Sequence, residues 1–191
     1  MRYDTTDSLL DPTTGVRAVA SVNAYPKALG SSVNLVEGHA AGSTYYALDE
    51  DANTILAGRL GIGALGGAPL AEIPDAHRFY AGGGGSVRGY TYRTISPLLF
   101  HQITGGRSLL EGTAEVRIKI TETIGIVPFI DAGGAFRASI PNFKDYIGIG
   151  AGIGLRYYTP IGPIRFDVAT PVNRRSGDSP IAIYVSIGQS F

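Results

Sequence analysis

Cysteine is absent from the 191 residues, which excludes a disulfide framework and any thiolate metal site. Charge is sparse. Asp, Glu, Lys and Arg make up 17 % of the chain, against about a quarter in ordinary soluble domains. The 16 basic and 16 acidic residues cancel, so the chain has no basic excess for a nucleic-acid surface. Long hydrophobic runs are missing as well. A membrane-spanning helix needs about 20 consecutive apolar residues, and here Gly or a charge interrupts every apolar stretch sooner. The opening MRYDTTDSLLDPTTG is polar and acidic and lacks the basic start and apolar core of a signal peptide. Export information therefore lies on an upstream portion, or the chain is not exported. Catalytic motifs are equally scarce. His39, His77 and His101 have no metal-ligand spacing. The Gly82–Gly85 run is not followed by GK[ST] and opens no helix, and there is no GxSxG elbow. No two carboxylates are marked as an acid–base pair. These absences predict no metal, no cofactor and no catalysis.

What the chain has in quantity is glycine (27 residues), tyrosine (11) and a period of two. In residues 112–120 the even positions Ala114, Val116, Ile118 and Ile120 oppose Thr113, Glu115, Arg117 and Lys119. In 124–132 Ile124, Ile126, Pro128 and Ile130 lie opposite Asp131. In 147–157 apolar odd positions face Gly148, Gly150, Gly152, Gly154 and Arg156. In 163–169 Ile164, Phe166 and Val168 oppose Arg165 and Asp167. In 181–191 Ile181, Ile183, Val185, Ile187 and Phe191 oppose Ala182, Tyr184, Ser186, Gly188 and Ser190. Upstream, 15–25 and 55–65 alternate in the same way, and 33–48 is extended with a phase slip near Glu37 and His39, from a bulge or from a different register than the one assigned. Residues 1–4 look like the tail of one further strand. This is strand-type periodicity throughout, so the fold class is all-β.

The connections also alternate. Short turns fall near 121–123 and 160–162, polar loops near 141–145 and 173–179, and one long loop at about 66–107. Short turns at one end, long loops at the other and alternating faces mark a transmembrane antiparallel β-barrel. That closed form lets strands cross lipid with every backbone group paired. A soluble barrel or sandwich alternates equally well, and the pattern alone leaves both open.

The long loop contains Arg78-Phe79-Tyr80-Ala81-Gly82-Gly83-Gly84-Gly85-Ser86-Val87-Arg88-Gly89-Tyr90. This RFYAGG…SVRGY segment resembles the loop motif of the BamA/TamA superfamily of outer-membrane insertases, the bacterial surface antigen family. Phe129-Ile130-Asp131-Ala132-Gly133, the glycine-rich 148–157 segment, Pro160-Ile161-Gly162-Pro163-Ile164-Arg165-Phe166-Asp167 and the terminal Ser186-Ile187-Gly188-Gln189-Ser190-Phe191 follow in the family's order. Asp11-Pro12-Thr13-Thr14-Gly15 matches an upstream turn, with Thr14 where Arg is common. The wording leans towards the TamA branch.

The resemblance implies the C-terminal half of a sixteen-stranded barrel, with about eight strands present in a single 1–191 domain. It implies location in the bacterial outer membrane. It implies a non-enzymatic assembly factor that inserts, folds or translocates client proteins such as barrels and autotransporters. Its partners would be the outer-membrane bilayer, unfolded client proteins and a periplasm-spanning protein, and no nucleic acid. The loop motif (Arg78, Phe79, Gly82, Gly83, Val87, Arg88, Gly89, Tyr90) is expected to fold into the lumen, with Arg88 paired to Asp131 and Glu115. Gly188 and Phe191 would carry a C-terminal sorting signal. The bare face of Gly148, Gly150, Gly152 and Gly154 suggests close approach by another backbone, that of the folded-in loop.

The family's barrel is preceded by POTRA domains, and its first strand is not in this sequence. The chain is therefore expected to be a fragment of a longer protein, a truncated gene product or, ranked last, a closed eight-stranded barrel. A passive structural barrel or pore is the rival function, and a soluble ligand-binding barrel a distant third.

Overall fold

The computed structural model describes residues 1–100 and 102–191. His101 lies outside the described residues. Nine strands form one antiparallel sheet in the order β1 (Arg2–Asp4), β2 (Gly15–Tyr25), β3 (Leu35–Ala47), β4 (Thr54–Gly66), β7 (Ser108–Lys119), β8 (Ile124–Phe136), β9 (Gly148–Tyr157), β10 (Ile164–Pro171) and β11 (Ala182–Ile187). Every strand pairs with its chain neighbour once the 67–107 loop is set aside. Within that loop β5 (Leu98–Leu99) and β6 (Gln102–Ile103) make a small separate hairpin.

The two faces differ as the period of two requires. Ile130, Ile153, Leu155, Ile183, Val185 and Ile187 are exposed on the outer face. Glu115, Arg117, Asp131, Arg156, Arg165 and Asp167 are buried on the inner face. An apolar exterior around a charged interior inverts the soluble arrangement and suits lipid outside and a filled lumen inside.

The 67–107 loop supplies much of that filling. Ala81, Val87, Tyr90 and Ile95 from the loop pack with Leu109 of β7 and Ala135 of β8. A second cluster joins Ala68 and Ile73 of the loop to Val33, Leu35 and Leu65. A third, at the turn end, consists of Tyr45, Ile55 and Ala57, with Phe191 packed against it.

Three expectations change. The register of β3 runs unbroken from Leu35 to Tyr45 against β2 and from Val36 to Ala47 against β4, so there is no bulge at Glu37 or His39. Leu35, Glu37, His39 and Tyr45 share the inner face, and Gly38, Ala40 and Gly42 opposite them are too small to show hydropathy contrast. The interruption in pairing lies instead between β7 and β8, where Val116 and Arg117 have no partners beside Pro128, a residue without an N–H for the ladder. The last strand stops at Ile187 rather than running to Phe191. Gly188 has φ +87°, and its N–H donates to Pro163 O at 2.7 Å, which turns the tail off the sheet. Finally, no ladder among the described residues joins β1 to β11, so the eight-stranded closed barrel is replaced by an open wall. Its two margins meet at the turn end, where Gln189 N–H donates to Leu10 O at 2.9 Å.

Candidate functional site

The site forms where the tip of the long loop reaches the inner wall. Arg88 is 2 % exposed and contacts carboxylates on three strands. Its main-chain N–H and Nε donate to Asp131 Oδ2 at 2.9 and 2.8 Å, and Nη2 donates to Asp131 Oδ1 at 2.9 Å. Nη1 lies 2.8 Å from Glu115 Oε1 and 2.9 Å from Asp167 Oδ2. The guanidinium stacks on Phe129 with its Cζ 3.4 Å from the ring centroid, a favourable cation–π geometry. Strand alternation explains the convergence. Glu115 on β7, Phe129 and Asp131 on β8, and Asp167 on β10 all occupy inward positions, and the planar fork of Arg suits several acceptors at once.

Neighbouring arginines extend the network. Arg117 Nε donates to Glu115 Oε2 at 3.1 Å, and Arg156 Nη1 donates to Asp167 Oδ1 at 2.5 Å. Arg156 Nε also donates to the Gln189 side chain at 2.9 Å.

The glycine face of β9 accommodates this arrangement. A Cβ on Gly150 would fall inside the carbonyl oxygen of Arg88, and one on Gly148 would meet Ile95 and Tyr90. Gly152 and Gly154 serve the network instead. Side chains there would collide with the Phe129 ring and with the Arg156–Asp167 pair. Gly89, at φ +96°, lets the chain turn beside the main chain of Thr170 and Pro171.

The other motif residues hold the loop. The Tyr90 hydroxyl donates to Asn173 Oδ1 at 2.7 Å, lies 2.9 Å from the Tyr146 hydroxyl, and accepts the Ile149 N–H at 3.2 Å. Val87 is fully buried. Gly82 and Gly83 have φ near +106° and +107°, and Gly83 N–H donates to Val87 O at 3.1 Å, closing the tip. Arg78 is not part of the charge network. It donates to Ile73 O at 2.7 Å and Thr104 O at 2.9 Å, stapling the loop to itself. Phe79 lies over Gly63 on the wall and bridges to Gly106.

Gly188 and Phe191 lie apart from Arg88. The Phe191 ring stacks on Tyr45 at 5.9 Å between centroids, on the inner side and not towards lipid. Ser190 Oγ donates to Glu115 Oε1, so the tail touches the network from below.

Sequence reasoning named Arg88, Asp131 and Glu115 but not Asp167, Phe129, Tyr184 or Asn173 as parts of one site. Asp167 carried a usable signal, since it opposes Ile164, Phe166 and Val168. Tyr184 on β11 accepts the Gly89 N–H and donates to Tyr90 O, both at 3.1 Å, a long-range link without a local sequence mark.

A family model described as the Omp85 superfamily domain matches residues 1–191. The outer membrane protein assembly factor BamA of Neisseria meningitidis serogroup B is 26 % identical over 220 residues, covering 97 % of this chain and 27 % of that protein. The outer membrane protein assembly factor BamA of Nitratidesulfovibrio vulgaris is 29 % identical over 195 residues, covering 98 % of this chain and 24 % of that protein. The chain thus spans about a quarter of the length of these curated relatives. The crystal structure of BamA from Haemophilus ducreyi lacking POTRA domains 1–3 superposes with a TM-score of 0.79 at 23 % identity, over 95 % of this chain and 40 % of that one.

Proposed function

The chain belongs to the Omp85 superfamily, and from that premise we propose that it is the loop-bearing half of an outer-membrane barrel that assists the insertion of client proteins. The carrying observation is the Arg88 anchor. Three carboxylates from β7, β8 and β10 receive one loop guanidinium, so the loop tip and three strands of wall form one rigid unit. Such a unit can present a fixed wall and a fixed membrane profile to an incoming barrel strand. The work is to lower the barrier to folding in lipid, with no bond made or broken and no cofactor. The bacterial outer membrane is the location this reading requires. Partners are its lipid, unfolded client barrels or autotransporters, and a periplasm-spanning protein. Arg88, Asp131 and Glu115, with the Val87-Arg88-Gly89-Tyr90 turn, are the residues on which the activity depends. Phe191 acts as a sorting signal while the chain is still unfolded, before its ring is covered by Tyr45.

The test is folding of a client barrel into liposomes with and without the protein, read by heat-modifiable gel mobility, with single-channel conductance measured on the same preparation. Faster client folding that falls in Arg88→Ala supports the proposal. Steady conductance without faster folding would replace it with a passive pore.

A further inference from the structure

Four guanidiniums, those of Arg88, Arg117, Arg156 and Arg165, share three carboxylates, those of Glu115, Asp131 and Asp167, on the buried inner face. Each carboxylate oxygen has a closer arginine partner than Arg165. Both oxygens of Asp131 accept from Arg88. Asp167 gives Oδ2 to Arg88 and Oδ1 to Arg156. Glu115 gives Oε1 to Arg88 and Oε2 to Arg117. Arg165 is left 3.7 Å from Asp167, and its Nε and Nη1 are buried without a hydrogen-bond partner among the described residues. Its side chain is only 9 % exposed. Its register partner on β9 is Arg156, a like charge, and on β11 it is Ser186.

A buried guanidinium beside a second one is costly unless an anion offsets it. Cross-strand like charges add to that cost. We propose that Arg165, with Ser186 as its register partner on β11, is an anion-binding site on the lumen wall that takes a carboxylate. The planar fork of Arg165 matches the two oxygens of such a group. One bound carboxylate would give the Arg165 fork the close acceptor that Asp167, at 3.7 Å, does not provide. The shared chemistry has two sources, a free small carboxylate or an acidic side chain of polypeptide passing through the lumen.

The experiment uses the 191-residue chain refolded in detergent. The thermal unfolding midpoint is followed by circular dichroism against sodium formate, with ionic strength held constant by a bulky sulfonate. The expected result is a saturable rise of several degrees, since a ligand that binds only the folded state stabilises it by mass action. Arg165→Gln should fold and lose the rise. Arg165→Lys keeps the cation without the fork and should need about tenfold more formate, in line with the lower value of a point charge at a bidentate site. It also provides the comparison if the Gln variant does not fold. A hexapeptide with one Asp that displaces formate, where its Asn counterpart does not, identifies polypeptide as the source. Failure of both peptides to displace formate identifies a free anion. A wild-type midpoint indifferent to formate, or an equal rise in Arg165→Gln or in Arg165→Lys, would overturn the proposal.

Discussion

Arg88 and Asp131 are joined by three hydrogen bonds, two to one carboxylate oxygen and one to the other, all between 2.8 and 2.9 Å. One of the three comes from the loop main chain, so the pair fixes the backbone as well as the side chain. Truncating Arg88 to Ala removes the cation and leaves Asp131, Asp167 and Glu115 crowded together. Breaking a buried pair from one side costs about 3–5 kcal/mol. The expected result is rapid protease cleavage within 67–107, while strands protected by lipid stay intact. Arg88→Lys keeps the charge and loses the fork, so it should fall between the two. Unchanged loop protection in Arg88→Ala would count against the anchor.

The legible part of this site was what alternation alone reports. Glu115, Asp131 and Asp167 each stand opposite apolar neighbours, so their inward direction follows from the strand period. Which of them Arg88 reaches depends on the curvature of the wall between β7 and β10, and no local pattern encodes that curvature. Period two puts Phe129 on the same side as Asp131, but nothing in the apolar stretch Val127 to Ile130 marks it as the ring beneath Arg88. In β11 the letters keep alternating through Ser190 and Phe191, although Gly188 has already turned the chain at positive φ. The glycines of β9 were informative for the opposite reason. Their spacing identified a bare face, and the loop lies on its upper half, with its backbone against Gly150 and the Ile95 and Tyr90 side chains against Gly148.

Gly150→Ala isolates that close approach from any charge effect. The added methyl would overlap the Arg88 carbonyl oxygen, which is backbone and cannot swing aside. Overpacking of this kind costs about 1–3 kcal/mol. Gly42→Ala on the outer face of β3 is the control, because its Cβ would stand 3.8 Å from the Arg17 carbonyl oxygen, an ordinary van der Waals contact. Differential urea unfolding in detergent should show a lower midpoint for the β9 variant and little change for the β3 variant.

The β3–β4 turn carries a pH dependence of its own. The Asn53 and Thr54 N–H groups donate to the Asp49 carboxylate at 2.8 and 2.7 Å. The Asn53 backbone bond first, and the Thr54 bonds with it, hold this carboxyl below its usual range. A depressed folded pKa gives stability that is present above the unfolded value and lost as pH falls through the folded one. Amide exchange at Asn53 and Thr54, corrected for its intrinsic pH dependence, should therefore stay protected through neutral and mildly acidic pH and lose protection below the ordinary carboxylate range. Asp49→Asn should remove the acid step. An acid step that persists in this variant would assign it to another group.

Tyr184 tests whether the terminal strand and the loop move together. Its hydroxyl accepts from Gly89 and donates to Tyr90 O across a separation of more than 90 residues, and its ring lies against Gly84. Phe at this position keeps the ring packing and removes both hydrogen bonds. The Gly89 N–H is then left without its acceptor, at a cost of about 1–3 kcal/mol if it stays buried. Arg88 and Tyr90 keep their own contacts in this variant, so the loop should remain docked and resist protease nearly as well as wild type. Hydrogen exchange should rise at Gly89 and, if the link is mechanical, also along β11, which has a ladder on one side only. Faster exchange at Gly89 with β11 unchanged would mean that Tyr184 orders the loop without tying it to the strand.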